Sequence, residues 1–175
     1  YKMYAKAAEG ARAALPDIII GGPVTTGAAQ LQPFVNYCNS NNVEFDLLAN
    51  HCYGGAPGST TNPDAVSNDT RLRSEVIKSL GKKVFSLNTE YSSTYTGQGG
   101  NSDANVVSMD SHINAPFVVK SQKLIIDDYI SGQYLLPDVL SYWAISDVFD
   151  ESGANKGSWI EMNNYRPFGA VFGLI

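Results

Sequence analysis

The segment KVFSLNTE, residues 83–90, has the residue pattern on which the predicted fold depends. Its apolar side chains at Phe85 and Leu87 alternate with polar ones, and the segment ends at Glu90. Because side chains alternate between the two faces of a strand, this pattern predicts a strand with one apolar and one polar face. We expect the apolar face to meet a layer of helices. The polar face, with Glu90 at its rim, is then expected to point to the other side of the sheet.

Three more apolar segments have the length of strands, and segments with helical spacing lie before and between them. The alternation predicts βαβ units and an α/β fold with a parallel sheet. Four such strands fit either half of an eight-stranded (β/α)8 barrel or an open doubly wound sheet, and periodicity does not choose between them. The predicted strands are DIIIGGP (17–23), VEFDLLANH (43–51), KVFSLNTE (83–90) and VLSYWAIS (139–146), and the predicted helices lie at 2–15, 31–38, 72–80 and 111–126.

The composition indicates one globular domain spanning residues 1–175 and excludes several classes of protein. Hydrophobic residues make up 43% and charged residues 17%, and the net charge of −5 comes without a basic stripe, which argues against nucleic-acid binding. No apolar run approaches the roughly 20 residues that span a membrane. Cys38 and Cys52 fit neither a metal site nor a disulfide framework, so we expect two buried thiols, no metal and no cofactor. The compartment, secreted or cytoplasmic, is left open.

Residues suited to chemistry follow the predicted strands, and ligands bind at the carboxyl ends of strands in barrels and open sheets alike. Glu90 alone is compatible with a catalytic group, a structural ion pair or an exposed loop charge. An isolated histidine such as His51 is often structural, and an isolated tryptophan such as Trp143 often belongs to a core. The candidates for one common site are His51, Tyr53, Glu90, Tyr91, Trp143, Asp150 and Glu151.

Five motifs together resemble glycoside hydrolase family 39, and most of all its β-xylosidases. They are GGP (21–23), FDLLANHCYG (45–54), NTEYSS (88–93), SYWAISDVFDE (141–151) and FGAVFGLI (168–175). The resemblance implies a (β/α)8 TIM barrel, of which this chain supplies about the last four β/α units. It also implies a retaining mechanism that needs no metal, with a carbohydrate as substrate.

The resemblance further implies a role for each candidate. Glu90 matches the nucleophile, which would form a covalent glycosyl intermediate. Asp150 departs from the family pattern, which usually has Glu at that position. The residues expected to contact the sugar are His51, Tyr53, Tyr91, Trp143, Asp150 and Glu151.

The Asn-Glu-Pro motif that holds the family's general acid/base does not occur in these 175 residues. A retaining glycosidase needs two carboxyl groups about 5–5.5 Å apart. We therefore expect that the N-terminal half of the barrel precedes Tyr1 and that the chain alone is inactive. The alternatives are the same mechanism on another glycoside, by an arabinosidase or endo-glycanase, or a non-catalytic sugar-binding half barrel. Open sheet edges also predict pairing with the missing half or a homo-oligomer.

Overall fold

The computed structural model describes residues 1–55, 61–94 and 114–142. Helices and strands alternate along these residues, as the sequence predicts. The helices are α1 (Lys2–Ala14), α2 (Leu31–Ser40), α3 (Asp64–Ser79) and α4 (Asn114–Ile130), with a short 3-10 helix at Ala28–Gln30; the strands are β1 (Gly21–Thr25), β2 (Leu47–Tyr53), β3 (Phe85–Ser92) and β4 (Val139–Tyr142).

The four strands form one sheet in the order β1-β2-β3-β4. β1 and β2 run parallel, with Gly21 opposite Leu47 and Thr25 opposite Asn50. Neighbours in the sheet are therefore neighbours in the chain, each reached through a helical connection. This arrangement confirms the predicted α/β fold with a parallel sheet.

The predicted starts of the first three strands are wrong by two to four residues. β1 begins at Gly21, β2 at Leu47 and β3 at Phe85, each later than the apolar run suggested. Hydrophobicity marks where a segment approaches the core, whereas the pairing of backbone hydrogen bonds defines a strand. β2 and β3 also continue to Tyr53 and Ser92, so His51 and Glu90 lie within the last three residues of their strands and not after them. β4 is described as far as Tyr142, and the rest of the predicted fourth strand lies outside the described residues.

The hydrophobic core confirms the helical pattern read from the second helix. Leu31, Phe34, Val35 and Cys38 of α2 are at most 1% exposed. Phe34 lies at their centre, and its ring meets the ring of Phe45 edge-on with 5.6 Å between centroids. Spacing of three and four residues places these side chains on one helix face, which explains why the sequence pattern identified them.

The faces of β3 are the reverse of those predicted. Ser86 is buried and accepts a hydrogen bond of 2.9 Å from the Arg73 guanidinium of α3. Asn88, two residues later, has no exposed surface, whereas Phe85 and Leu87 are half-buried. The polar side chains of β3 therefore lie on the face covered by helix α3, and the apolar ones lie on the opposite face. The reason is that the Arg73 guanidinium of α3 is buried against the sheet, and a buried cation needs hydrogen-bond acceptors there.

A buried polar network joins α3 to the sheet. The Asp69 carboxylate accepts hydrogen bonds from the Ala28 backbone N–H at 2.7 Å and from the Asn50 side-chain amide at 2.5 Å. The Arg73 guanidinium donates to the Asn50 side-chain oxygen at 2.6 Å, as well as to Ser86. Burial raises the pKa of Asp69, although the hydrogen bonds from Asn50 and Ala28 and the charge of Arg73 act in the opposite direction. Burial in turn lowers the pKa of Arg73.

The contacts divide the chain into two compact units. The first contains α1, α2, the buried network and most of the strands. The second contains the last residue or two of β2, β3 and β4, the start of α3 and most of α4. Their ranges are Tyr1–Cys52, Asn68–Glu90 and Ile125–Ser141 for the first, and Tyr53–Ser67, Tyr91–Leu124 and Tyr142–Ile175 for the second. In the described part of the chain, no helix has the length and apolar character to span a membrane.

Replacing Asp69 by Ala tests how much the buried network contributes to the stability of the fold. The substitution leaves the fully buried Arg73 guanidinium without its carboxylate, so we expect the free energy of unfolding to fall by about 3–5 kcal/mol. Urea unfolding of the full-length protein, followed by circular dichroism, measures the loss. The matched control is Glu9→Gln, which breaks an ion pair with Lys6 on the surface of α1. The control is expected to keep the wild-type midpoint, and equal midpoints for all three proteins would contradict the prediction.

Candidate active site

His51 and Glu90 meet near the carboxyl ends of β2 and β3. The His51 Nδ1 atom lies 3.7 Å from the Glu90 Oε2 atom. The two side chains are 21% and 26% exposed, so both retain a surface that a ligand can reach. The separation is longer than a hydrogen bond, so the two groups are close neighbours without a direct hydrogen bond between these atoms. The structure thus brings together two of the residues that the sequence proposed for one site.

Thr89 holds the His51 ring on the neighbouring strand. Its hydroxyl lies 3.0 Å from His51 Nδ1 and 3.3 Å from the Asn50 backbone oxygen. The ring is therefore tied to β3 through a side chain that immediately precedes Glu90. Thr89 was not among the residues that the sequence pattern indicated, although its position directly before the candidate carboxylate was a usable signal.

Glu90 reaches His51 because the alternation of β3 breaks at this point. Strict alternation would place Glu90 with Ser86 and Asn88, which are buried. Thr89 and Glu90 are instead both half-buried, and both approach His51. The alternation argument, which grouped Glu90 with Ser86 and Asn88 on one face, was therefore wrong for the end of this strand.

Tyr91 belongs to the second unit and has no exposed surface. Its hydroxyl accepts a hydrogen bond of 2.8 Å from the Gln122 amide, and its ring meets that of Tyr142 edge-on at 5.6 Å. Burial raises the pKa of Tyr91 to about 12. These contacts give Tyr91 a packing role. Its side chain offers no exposed surface for the predicted contact with a sugar. Tyr53, in the same unit, is half-buried.

The other predicted site residues, Trp143, Asp150 and Glu151, lie outside the described residues. Within the described ranges, no group of three or more histidine, cysteine, aspartate or glutamate side chains could hold a metal ion.

Comparison with known proteins identifies the family. The profile of glycosyl hydrolases family 39 matches residues 1–175. The chain belongs to this family. The family and the parallel four-stranded sheet with its helices confirm the predicted TIM-barrel fold, of which the chain covers a fragment.

Individual relatives place the family 39 chain near β-xylosidases. A β-xylosidase from Caldicellulosiruptor saccharolyticus is 24% identical over all 175 residues, and the chain spans 33% of that protein's length. A monomeric β-xylosidase from Caulobacter crescentus is similar over 87% of this chain and 30% of its own, with 26% identity and a TM-score of 0.69. A family 39 enzyme from Xanthomonas axonopodis shares 27% identity over 86% of this chain and 29% of its own, with a TM-score of 0.68.

The thiol of Cys52 follows His51 but does not join the site. Cys52 is 7% exposed, and burial raises its pKa to about 12, with the nearby Asp69 charge acting in the same direction. Alkylation requires the thiolate, so we expect no reaction of Cys52 with iodoacetamide at about pH 8 in the folded protein. Peptide mapping by mass spectrometry before and after unfolding in urea measures this protection.

Cys38 is the internal control for this experiment, because it is also buried and burial raises its pKa. Both thiols should be alkylated once the chain is unfolded. Rapid labelling of Cys52 in the folded protein would show instead that its thiol reaches solvent beside His51.

Proposed function

We propose that Glu90 is the nucleophile of a retaining, β-xylosidase-like glycoside hydrolase. The observation that carries the proposal is the pairing of a partly exposed Glu90 carboxylate with His51 at the carboxyl ends of adjacent strands, in a chain of family 39. Active sites of this fold lie at the carboxyl ends of the strands. The names of the β-xylosidase relatives support the choice of xylosides as substrates.

Other carboxylates near the described strands are already committed to structural contacts. Asp46 lies before β2 and binds both the Arg12 guanidinium and the Ile20 backbone N–H. Asp138 lies before β4 and accepts a hydrogen bond of 2.7 Å from the Ser86 backbone N–H. Both belong to the amino ends of their strands, and Asp69 lies in the buried network. Glu90 is thus distinguished from Asp46 and Asp138 by its position near the carboxyl end of a strand, and from the buried Asp69 by its exposure.

The proposed reaction proceeds in two displacements. A Glu90 carboxylate oxygen forms an ester bond to the anomeric carbon while the glycosidic bond breaks, and the leaving oxygen takes a proton from an acid. Water then attacks the same carbon, gives its proton to the conjugate base of that acid, and releases the sugar together with the Glu90 carboxylate. The sequence of steps consumes one water molecule and uses no metal or cofactor.

The acid/base partner is proposed to lie outside these 175 residues. The chain spans 33% of the length of its β-xylosidase relative, so the remaining part of that protein has no counterpart here. We assign the acid/base to such a further segment, which would also complete the barrel around the open face of the sheet. On this proposal the 175 residues alone are inactive and the partner they require is the rest of the barrel. A homo-oligomer stays a prediction.

Contacts to the sugar are proposed for five of the six residues that the sequence named. Tyr91 is left out because its side chain is buried, whereas His51 and Tyr53 keep partly exposed surfaces. The aromatic face of a tryptophan suits the apolar face of a pyranose, and carboxylates accept hydrogen bonds from its hydroxyls. The proposed contacts are His51, Tyr53, Trp143, Asp150 and Glu151.

A 2-deoxy-2-fluoroxyloside with a good leaving group tests the nucleophile. The experiment uses the full-length protein, meaning these 175 residues together with the proposed segment that completes the barrel. The fluorine slows both displacements, so the glycosyl ester should accumulate, and peptide mapping should find the added mass on Glu90. Glu90→Gln is expected to lower kcat/KM by about 10³-fold or more, because a reacting group is lost. Glu75→Gln, on an exposed position of α3, is the matched control and should keep wild-type activity.

Two results would overturn this assignment: ester formation on another carboxylate, or substantial hydrolysis by Glu90→Gln. A panel of xylosides, arabinosides and xylo-oligosaccharides also separates the alternatives within the mechanism. An arabinosidase would hydrolyse the arabinosides fastest, and an endo-glycanase would cleave only the oligosaccharides. A sugar-binding module without catalysis would bind the panel and turn over none of it.

A further inference from the structure

The proton arrangement around Thr89 follows from its two polar partners. The hydroxyl has one hydrogen to donate, and it lies near the Asn50 backbone oxygen and near His51 Nδ1. A carbonyl oxygen can only accept, whereas an imidazole nitrogen either donates or accepts. Both contacts are hydrogen bonds only when Thr89 donates to Asn50 and His51 Nδ1 carries the proton that Thr89 accepts. In the Nε2–H tautomer, Nδ1 is an acceptor, and the single Thr89 hydrogen can serve only one of the two partners. If it goes to Nδ1, the hydroxyl oxygen and the Asn50 oxygen face each other as two acceptors; if it goes to Asn50, the hydroxyl oxygen and Nδ1 do so.

The charge of Glu90 favours the same tautomer. Its Oε2 atom lies 3.7 Å from the same Nδ1 atom. A carboxylate is attracted to an N–H group at this distance and repelled by a nitrogen lone pair, and the partly buried position strengthens the difference. A second and independent interaction therefore also places the proton on Nδ1.

The anchor for this arrangement is rigid. Asn50 has no exposed surface, and its side chain bonds to Asp69 and Arg73 of α3. The Asn50 side-chain amide also donates to the His51 backbone oxygen at 3.0 Å. The carbonyl that receives the Thr89 proton is thus fixed by the buried network on the opposite face of the sheet.

We propose that Thr89 is a positioning residue that fixes His51 as the Nδ1–H tautomer, so that Nε2 is left as a hydrogen-bond acceptor for a substrate hydroxyl. The inference rests on the proposed function, since it assigns His51 to the sugar site beside Glu90. The Thr89 hydroxyl oxygen lies 3.0 Å from His51 Nδ1, whereas the Glu90 Oε2 atom lies 3.7 Å from the same nitrogen. An uncharged polyhydroxyl ligand, which offers O–H donors, is the chemistry that an Nε2 lone pair recognises.

The test is the tautomer of His51 in the full-length protein, measured by long-range ¹⁵N–¹H NMR of the imidazoles. The spectra are recorded at about pH 8.5, where histidine is generally neutral, and the His51 signals are assigned by their loss in His51→Asn. The wild type and Thr89→Ser, which keeps the hydroxyl, are expected to show Nδ1–H. Thr89→Val, which keeps the shape but not the hydroxyl, is expected to lose this preference.

Thr25→Val is the matched control, because it removes a threonine hydroxyl that bonds a backbone oxygen, that of Gly27, at the end of another strand. It is expected to lower the melting temperature about as much as Thr89→Val and to leave the His51 tautomer unchanged. A merely structural role for Thr89 would predict the same behaviour for both valine variants.

Activity gives the second readout. Thr89→Val is expected to lower kcat/KM by about 10- to 100-fold, by analogy with the loss on removing a partner that orients a metal-ligating histidine. Thr89→Ser should restore most of this loss. Wild-type protein with the Nε2–H tautomer, a Thr89→Val variant with the wild-type tautomer, or full activity of that variant would each overturn the proposal.

The outcomes for Thr89 and for Glu90 are separable. The tautomer is read without substrate, so it does not depend on which carboxylate is the nucleophile. Trapping of the fluorosugar on another carboxylate would refute the role of Glu90 while the Nδ1–H tautomer still supports Thr89. Trapping on Glu90 together with an Nε2–H tautomer would refute the role of Thr89 alone.

Discussion

The described part of this structure depends on burying one guanidinium group, that of Arg73, between helix α3 and the sheet. A buried cation costs several kcal/mol of solvation, and the cost is offset only where a counter-charge and hydrogen-bond acceptors surround it. Asp69, one helical turn earlier, supplies the charge, and Asn50 and Ser86 supply oxygens from two neighbouring strands. The helix and both strands must therefore adopt one relative register, because a shift by one residue would turn these oxygens to the other face.

The same constraint reaches the candidate active site through Asn50. Its side chain faces α3, whereas its backbone oxygen receives the Thr89 hydroxyl proton on the way to His51. A network on the helix side of the sheet is thus connected to the imidazole of His51 through Asn50 and Thr89. Sites of this kind work when supporting groups hold the reacting groups in place before the ligand arrives.

Departures from the sequence-based expectations have separate physical origins. Apolar runs predicted strands that began too early, since burial extends beyond the residues that pair in the sheet. Alternation in β3 was assigned to the wrong faces, because polar residues were expected to avoid the helix layer and a buried arginine reversed that preference. Tyr91 was included among the predicted sugar contacts, yet its side chain has no exposed surface.

The sequence by itself determined the α/β alternation, the buried face of α2, the family and the identity of His51 and Glu90 as candidates, because periodicity and motif order are local properties of the chain. Only the tertiary structure decided which face of β3 meets the helices, that Thr89 joins His51 to Asn50, and that Glu90 and His51 lie 3.7 Å apart. These depend on partners 13 to 39 residues away in the chain. Contacts at such separations follow from the balance of buried charge and hydrogen bonding across several elements, which no single segment of sequence contains.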